Sequence, residues 1–376
     1  MYFDNAATTI KKPQELKDKY MEIFENSNYG NQSRGGHNKS VNAMMAVYET
    51  KKALSKLFNT KPEDIAFADN CSFASNFVIK SLVNENDHVI TSTTEHNSIL
   101  RPLYQSKAEL SFVDFNENLE LEYDKLESLV KENTRFLVIN HASNLLANVN
   151  DLNRLHDFSK KHNLIMITDI AQTAGNTPID VSKYDNSIFL FTGHKSLYGP
   201  TGTGGIIKNG DFDFKPVFSG GSGIKSFLKT HPAEFPTVFE IGTSNFMSQI
   251  AFKGSIDFIL NTGVENINKK IKELTKRFYD GIKDNENIKI YSKEPKGDYS
   301  SIVSINIEDV PSSDVSNILD EEFDIQTRPG AHCAPLIHKH FKTEEQGIVR
   351  FSFSYSNEIS EIDEAVSILN ELTKKA

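Results

Sequence analysis

Two polar residues at the ends of apolar runs carry the first chemical signal in this 376-residue chain. Asp169 closes Ile165-Met166-Ile167-Thr168-Asp169, and 26 positions later Lys195 ends Phe189-Leu190-Phe191-Thr192-Gly193-His194-Lys195. Both runs have the length of a buried strand and the interval fits one crossover helix, so both side chains should fall at the C-terminal edge where open α/β sheets place their ligands. A lysine amine can form a Schiff base, and an acid beside a ring nitrogen keeps that nitrogen protonated. Pyridoxal phosphate (PLP) needs both groups, because its protonated ring is what draws electrons out of a substrate carbanion. On residue type alone, Lys195 reads equally as a solvated surface lysine and Asp169 as a helix N-cap.

A phosphate dianion binds well at a helix N-terminus, where backbone N–H groups lack partners. The run Asp69-Asn70-Cys71-Ser72-Phe73-Ala74 offers such a start between a strand pattern and a helical one, with the Ser72 hydroxyl in addition. The chain has 2 cysteines, Cys71 and Cys333, too few for a disulfide framework and without the spacing of a zinc site, so no metal is implied and any thiol chemistry belongs to a free cysteine. Cys71 reads as a packed residue near the phosphate, with no catalytic role. Cys333 follows His332 and lies 17 residues before Arg350, and a nearby imidazole and cationic arginines would favour its thiolate. In isolation each has an ordinary reading too, Cys333 as a small packed residue and Arg350 as a strand-edge ion pair.

These groups need a scaffold. Strand patterns at Asp64–Phe67, His88–Ile90, Ser111–Val113, Phe136–Ile139, Leu164–Thr168, Ile188–Phe191 and Gly204–Ile207 alternate with helical spacing such as Ser40–Phe58. Such alternation predicts an α/β fold with a mainly parallel sheet covered on both faces. From Gln249 one long helical pattern runs to Asp284, and the remainder, with strand patterns at Ser301–Ile305 and Val349–Phe353 and a helix over Ile359–Lys374, predicts a smaller α+β domain. The expected division is a large domain over 13–250 and a small one over 251–376, with residues 1–12 packing on the small domain or at an interface. The 41 Lys and Arg against 51 Asp and Glu give a net charge of −10, which argues against a nucleic-acid surface. No apolar run reaches membrane-spanning length and Met1 leads straight into Tyr2-Phe3, so a cytoplasmic protein handling small molecules is expected.

Five segments in order carry a resemblance: Tyr2-Phe3-Asp4-Asn5-Ala6-Ala7-Thr8-Thr9, Glu95-His96-Asn97-Ser98, Thr192-Gly193-His194-Lys195, Glu240-Ile241-Gly242-Thr243-Ser244-Asn245, and Arg328-Pro329-Gly330-Ala331-His332-Cys333-Ala334-Pro335. Together they resemble class V PLP enzymes, and within that class the cysteine desulfurases of the second, SUF-like group and the selenocysteine lyases. The resemblance implies the fold type I PLP-transferase architecture with a seven-stranded sheet. It also implies His96 lying flat on the cofactor ring, Asp169 at the ring nitrogen, and Gln172 and Asn144 near the phenolic oxygen. Ser72, Cys71, Thr192 and His194 would surround the phosphate, with Lys195 as the Schiff-base lysine. Arg350 would grip the substrate carboxylate, for which its planar fork is suited. Asn144, Arg34 and His37 would stand at the substrate mouth. Thr243 would reach the phosphate of the neighbouring subunit in a homodimer.

Cys333 would attack the sulfur of L-cysteine, leaving a persulfide and L-alanine. A sulfur-acceptor protein, sulfur supply and iron–sulfur cluster assembly are implied by the same resemblance. L-selenocysteine as substrate, another class V activity such as an aminotransferase or β-lyase, and a non-enzymatic scaffold are the competing readings. The chain departs from the family at Ser72-Phe73, where Thr-Glu is usual, which puts the local geometry of the phosphate end in question.

Overall fold

The apolar runs pair into one sheet, but the interval between Asp169 and Lys195 holds no crossover α-helix: turns and a 3-10 turn at Val181–Lys183 connect the two strands. The computed structural model describes residues 1–32 and 36–374. Strands β1 (Ile65–Ala68), β2 (His88–Ser92), β3 (Glu109–Val113), β4 (Thr134–Val138), β5 (Ile165–Asp169), β6 (Ser187–Thr192) and β7 (Gly204–Asn209) form one seven-stranded sheet in the order β1-β7-β6-β5-β4-β2-β3. β7 is antiparallel to both of its neighbours, and the other adjacent pairs are parallel.

Side chains alternate between two cores, as the two-residue period of a strand requires. Along β6, Phe189 and Phe191 point into one core with Leu54, Phe58 and Phe252, while Ile188 and Leu190 point into the other with Phe77, Val78 and Phe239. The helices over this sheet include α1 (Gln14–Asn26), α2 (Asn38–Phe58), α3 (Cys71–Leu82), α4 (Asn97–Ser106), α5 (Leu152–Lys161) and α6 (Phe246–Thr262). A second sheet of β8 (Ile288–Ile290), β9 (Ile302–Ile307) and β10 (Val349–Ser352) is antiparallel, in the order β10-β9-β8. With it go α7 (Val264–Ile282), α8 (Ser312–Phe323), α9 (Pro335–Phe341) and α10 (Ile359–Leu372).

The long helical pattern after Gln249 is two helices, not one. Gly263, with φ 84°, ends α6 in a conformation that other residues adopt at a cost, and α7 starts at the next residue. The boundary expected near residue 250 falls inside α6, whose Ile250, Phe252, Ile256 and Ile259 belong to a core of the large sheet. The change of core comes within α7, between Ile267 on the large sheet and Leu274 on the small one. Residues 2–6 join the small sheet: Tyr2 bridges Gln326, Asp4 bridges Ser352, and Phe3 is fully buried against Phe351 and Phe353. Among the described residues, no helix is long and apolar enough to cross a membrane.

Candidate active site

The parallel strands end on one edge, and the turns after them wall a cavity of about 290 Å³, near the lower bound for small-ligand sites. Into it come Ser72 and Cys71 from the start of α3, His96 from the β2–α4 turn, Asn144 after β4, Asp169 at the end of β5 and Gln172 after it, and Thr192 at the end of β6 with His194 and Lys195 after it. Two glycines let these turns approach. A Cβ on Gly193 would stand 2.1 Å from Thr203 Oγ1, and one on Gly204 would stand 2.7 Å from Asn70 Cα.

Lys195 projects from the turn after β6 and, among the described residues, makes no side-chain hydrogen bond or ion pair. Enclosure pulls its pKa below the ordinary 10.5, opposed by Asp169 and Cys71. The neutral amine needed to bond a carbonyl carbon is thereby made more accessible. Asp169 Oδ1 accepts the Ala171 N–H at 2.8 Å and the Cys71 thiol at 3.3 Å. Burial raises its pKa, with Lys195 and those two donors opposing. Burial, reinforced by Asp169, pushes the Cys71 thiol well above its ordinary value, so it stays protonated as a donor.

His96 caps α4. Its Nδ1 accepts the Ser98 N–H at 3.0 Å, which leaves the ring proton to Nε2. Burial and then the charges of Lys195, Arg328 and Arg350 lower its pKa to about 3, so it is a neutral aromatic plate. Glu95, its neighbour, was not singled out by the sequence. It is fully buried, accepts the Ser92 hydroxyl at 2.7 Å and the Asn140 N–H at 2.8 Å, and has its pKa raised by burial to about 8. It bolts the turn that carries His96 to the end of β4.

Arg350 lies on β10, fully buried. Its Nη2 donates to Asp4 Oδ1 at 2.7 Å, its Nη1 to the Asn144 carbonyl at 3.1 Å, and its Nε has no partner among the described residues. Asp4 is a second residue that the sequence marks only as part of a motif. Cys333 is half-buried and does not line the cavity wall, but its backbone is fastened to it. The Asn97 N–H donates to the Cys333 carbonyl at 2.8 Å, and Asn144 Nδ2 donates to the His332 carbonyl at 2.7 Å. His332 and Cys333 have φ 50° and 55°, two successive left-handed residues other than glycine. Such backbone stores about 1–3 kcal/mol per residue and collects at functional sites.

His332 has a different part from the one expected. Burial, with Arg350, holds its pKa well below 6.5, so it is neutral and lends Cys333 no charge. Its Nε2 donates instead to the Ile348 carbonyl at 2.8 Å, pinning the cysteine loop beside β10. His37 is exposed and caps α2, accepting the Ser40 N–H at 3.3 Å on Nδ1, and it does not line the cavity. Arg34 lies outside the described residues. Thr243 accepts a hydrogen bond from Asn31 Nδ2 at 3.1 Å and lines a second cavity, which shares Phe73 with the first.

The residues present fit PLP. Buried Thr192 Oγ1, His194 Nδ1 and Asn144 Oδ1 have no hydrogen-bond partner among the described residues, which marks atoms built to meet a ligand. An amine, a buried carboxylate and a neutral imidazole plate share the cavity with them. Among the described residues, no group of three or more His, Cys, Asp or Glu side chains could hold a metal ion.

The sequence matches the family Aminotransferase class-V over residues 1–365. It is 30% identical over 390 residues to a probable cysteine desulfurase of Pyrococcus abyssi, covering 100% of this chain and 94% of that protein. It is likewise 30% identical over 377 residues to a probable cysteine desulfurase of Synechocystis sp., covering 96% of this chain and 88% of the other. The apo structure of a cysteine desulfurase from Thermococcus onnurineus NA1 superposes with a TM-score of 0.92 at 28% identity, over 100% of this chain and 95% of that one.

Proposed function

Because the chain belongs to the class V aminotransferase family, we propose that it is a PLP-dependent cysteine desulfurase that converts L-cysteine to L-alanine and carries the sulfur away as a persulfide on Cys333. One observation favours this over an aminotransferase. The Cys333 peptide is bonded from both sides by elements that carry His96 and Asn144, at Asn97 N and Asn144 Nδ2. An aminotransferase has no use for a thiol held there.

When bound, PLP supplies an electron sink for the carbon attached to the substrate amine. Lys195 would tie the cofactor to the chain through Nζ and, once displaced by the substrate amine, carry the proton that moves at Cα. Asp169 would keep the ring nitrogen protonated, and His96 would cover one ring face. Gln172 and Asn144 would meet the phenolic oxygen, with Ser72, Cys71, Thr192 and His194 at the phosphate. Arg350 would take the substrate carboxylate through its unused N–H groups, with Asp4 holding the guanidinium in place. Cys333 Sγ, as thiolate, forms an S–S bond to the substrate sulfur while the Cβ–S bond breaks. The electron pair stays with the three-carbon fragment, which is protonated and leaves as alanine.

The 17-residue interval from Cys333 to Arg350 supports the short-loop second group. The resemblance assigns Arg34 and His37 to the substrate mouth, and His37 caps α2 away from the cavity wall. Thr243 is exposed beside Asp69 and Phe73, a position suited to a two-fold dimer in which it serves the partner's phosphate, in a cytoplasmic enzyme that hands sulfur to an acceptor protein.

The test is to load the protein with PLP, add L-cysteine, and measure alanine together with the mass of the Cys333 peptide. Wild type should give alanine and a peptide heavier by one sulfur. Cys333→Ser should retain PLP and bind cysteine yet give neither, since a hydroxyl is a poor nucleophile toward sulfur at neutral pH. Alanine formed by Cys333→Ser at the wild-type rate refutes the assignment.

A further inference from the structure

Lys195 sits on a turn, outside any strand or helix, so no ladder of backbone hydrogen bonds fixes the direction in which its side chain leaves. Bonds within the turn close it on itself: Gly199 N–H to the Gly193 carbonyl at 2.7 Å and Tyr198 N–H to the Lys195 carbonyl at 2.8 Å. The carbonyl of His194, one peptide before Lys195, is held from outside. It accepts the Thr9 N–H at 3.0 Å, the Thr8 hydroxyl at 3.2 Å and Lys12 Nζ at 3.3 Å. Lys12 Nζ also donates to the Gly199 carbonyl at 2.7 Å, so one ammonium spans both ends of the turn.

Lys12 is not behaving as a surface lysine. No carboxylate pairs with it among the described residues, and burial pushes its pKa down to about 8. Its neighbour Lys11 takes the ordinary part, half exposed and 3.8 Å from Glu361. A desolvated ammonium without a counter-ion is unfavourable and persists only where its hydrogen bonds are well made. Here those bonds go to two carbonyls that bracket the cofactor lysine.

We propose that Lys12 is a positioning residue for Lys195: by bridging the His194 and Gly199 carbonyls, it fixes the turn from which the Lys195 amine reaches PLP. This rests on Lys195 as the lysine that bonds PLP. A displacement of about 1 Å at a reacting group can lower rates by about 100-fold, and a released turn permits displacements of that order.

The experiment compares Lys12→Met, Lys12→Arg and a Lys11→Met control as apo-proteins mixed with PLP. It follows the rate at which the visible band of lysine-bound PLP appears, the PLP dissociation constant, and the melting temperature. Lys12→Met should form the band at least tenfold more slowly and hold PLP about tenfold more weakly. Lys12→Arg, which keeps the donors and the charge, should recover most of both, and Lys11→Met should match wild type. A purely structural role would lower the melting temperature and leave the rate of band formation unchanged. Wild-type rate and affinity in Lys12→Met overturn the proposal. If that variant does not fold, Lys12→Gln, which can still donate to one carbonyl, should be intermediate, and wild-type values there overturn it equally. Failure of the underlying assignment looks different: after borohydride reduction of the wild-type complex, the PLP label would sit on a lysine other than Lys195.

Discussion

Glu95 should make the stability of the apo-protein fall with pH in a way that one substitution removes. Its carboxyl has an ordinary pKa of 4.5 and is raised to about 8 in the fold, chiefly by burial. The folded chain therefore binds more protons than the unfolded chain between these two values. The stability associated with the protonated group is complete below about 4.5 and is lost as pH rises through about 8. Between pH 5 and pH 7 that loss amounts to about 2.5 kcal/mol, at about 1.4 kcal/mol per pH unit once the unfolded chain has ionised. Glu95→Gln keeps the oxygen that accepts from Ser92 Oγ and the Asn140 N–H, and it cannot ionise. Urea unfolding of both proteins at pH 5, 6, 7 and 8 should give curves that diverge by this order, with the variant gaining on wild type as pH rises. Parallel pH profiles, with Glu95→Gln offset by a constant amount, would show that Glu95 is not held protonated and would refute the reasoning.

Three further outcomes are expected. Arg350→Lys keeps a charge beside Asp4 but loses the planar fork, so KM for L-cysteine should rise tenfold or more while kcat changes less than threefold and PLP is retained; an unchanged KM removes Arg350 from substrate capture. In the native apo-protein, a thiol reagent at pH 7.5 should modify Cys333 quickly and Cys71 at least 100-fold more slowly, because Cys71 is buried and held protonated against Asp169; comparable labelling of both by peptide mapping contradicts that environment. Mixing inactive Lys195→Ala chains with inactive Thr243→Val chains should restore activity under subunit exchange, since one site of each hybrid dimer would keep both residues; no recovery despite demonstrated hybrids places Thr243 in its own chain's site.

The legible part of the fold was the part governed by period. All seven strands of the large sheet were visible because each holds a short apolar run, whether its pairing is parallel or, as for β1 and β7, antiparallel, and the runs ended within a residue or two of the structural strands. Candidate site residues at or just past strand ends, such as Asp169, Thr192 and Lys195, were legible for the same reason: once the strand is placed, its last residue and those just beyond must lie at the sheet edge. Cys333 and Arg350 needed the family resemblance, because nothing periodic links them to β5 and β6. The Asp4–Arg350 pair, whose partners are 346 positions apart, and the Lys12 bridge to the Lys195 turn left no local signal at all. Glu95 was hidden by its type, since a glutamate between two strand patterns reads as solvated until burial shows that it is protonated. The break at Gly263 could have been read, because a glycine inside a helical pattern near its end is a C-cap signal.

The two thiols show how far environment outweighs residue type in this chain. Cys71 opens α3, a position where unpaired N–H groups ordinarily favour a thiolate. Burial and the Asp169 carboxylate outweigh that, and the thiol becomes a donor that fixes Asp169 Oδ1. Cys333 lies on an irregular loop, which by itself offers neither a helix terminus nor a rigid frame. Its rigidity comes from Asn97, Asn144 and the Ile348 carbonyl that holds His332. A nucleophile for a second-stage attack has to stand near the substrate without competing with Lys195 for the cofactor. As proposed for Cys333, a half-buried cysteine on a pinned loop outside the cavity wall would avoid that competition, whereas Cys71, inside the cavity, is kept protonated by burial and Asp169.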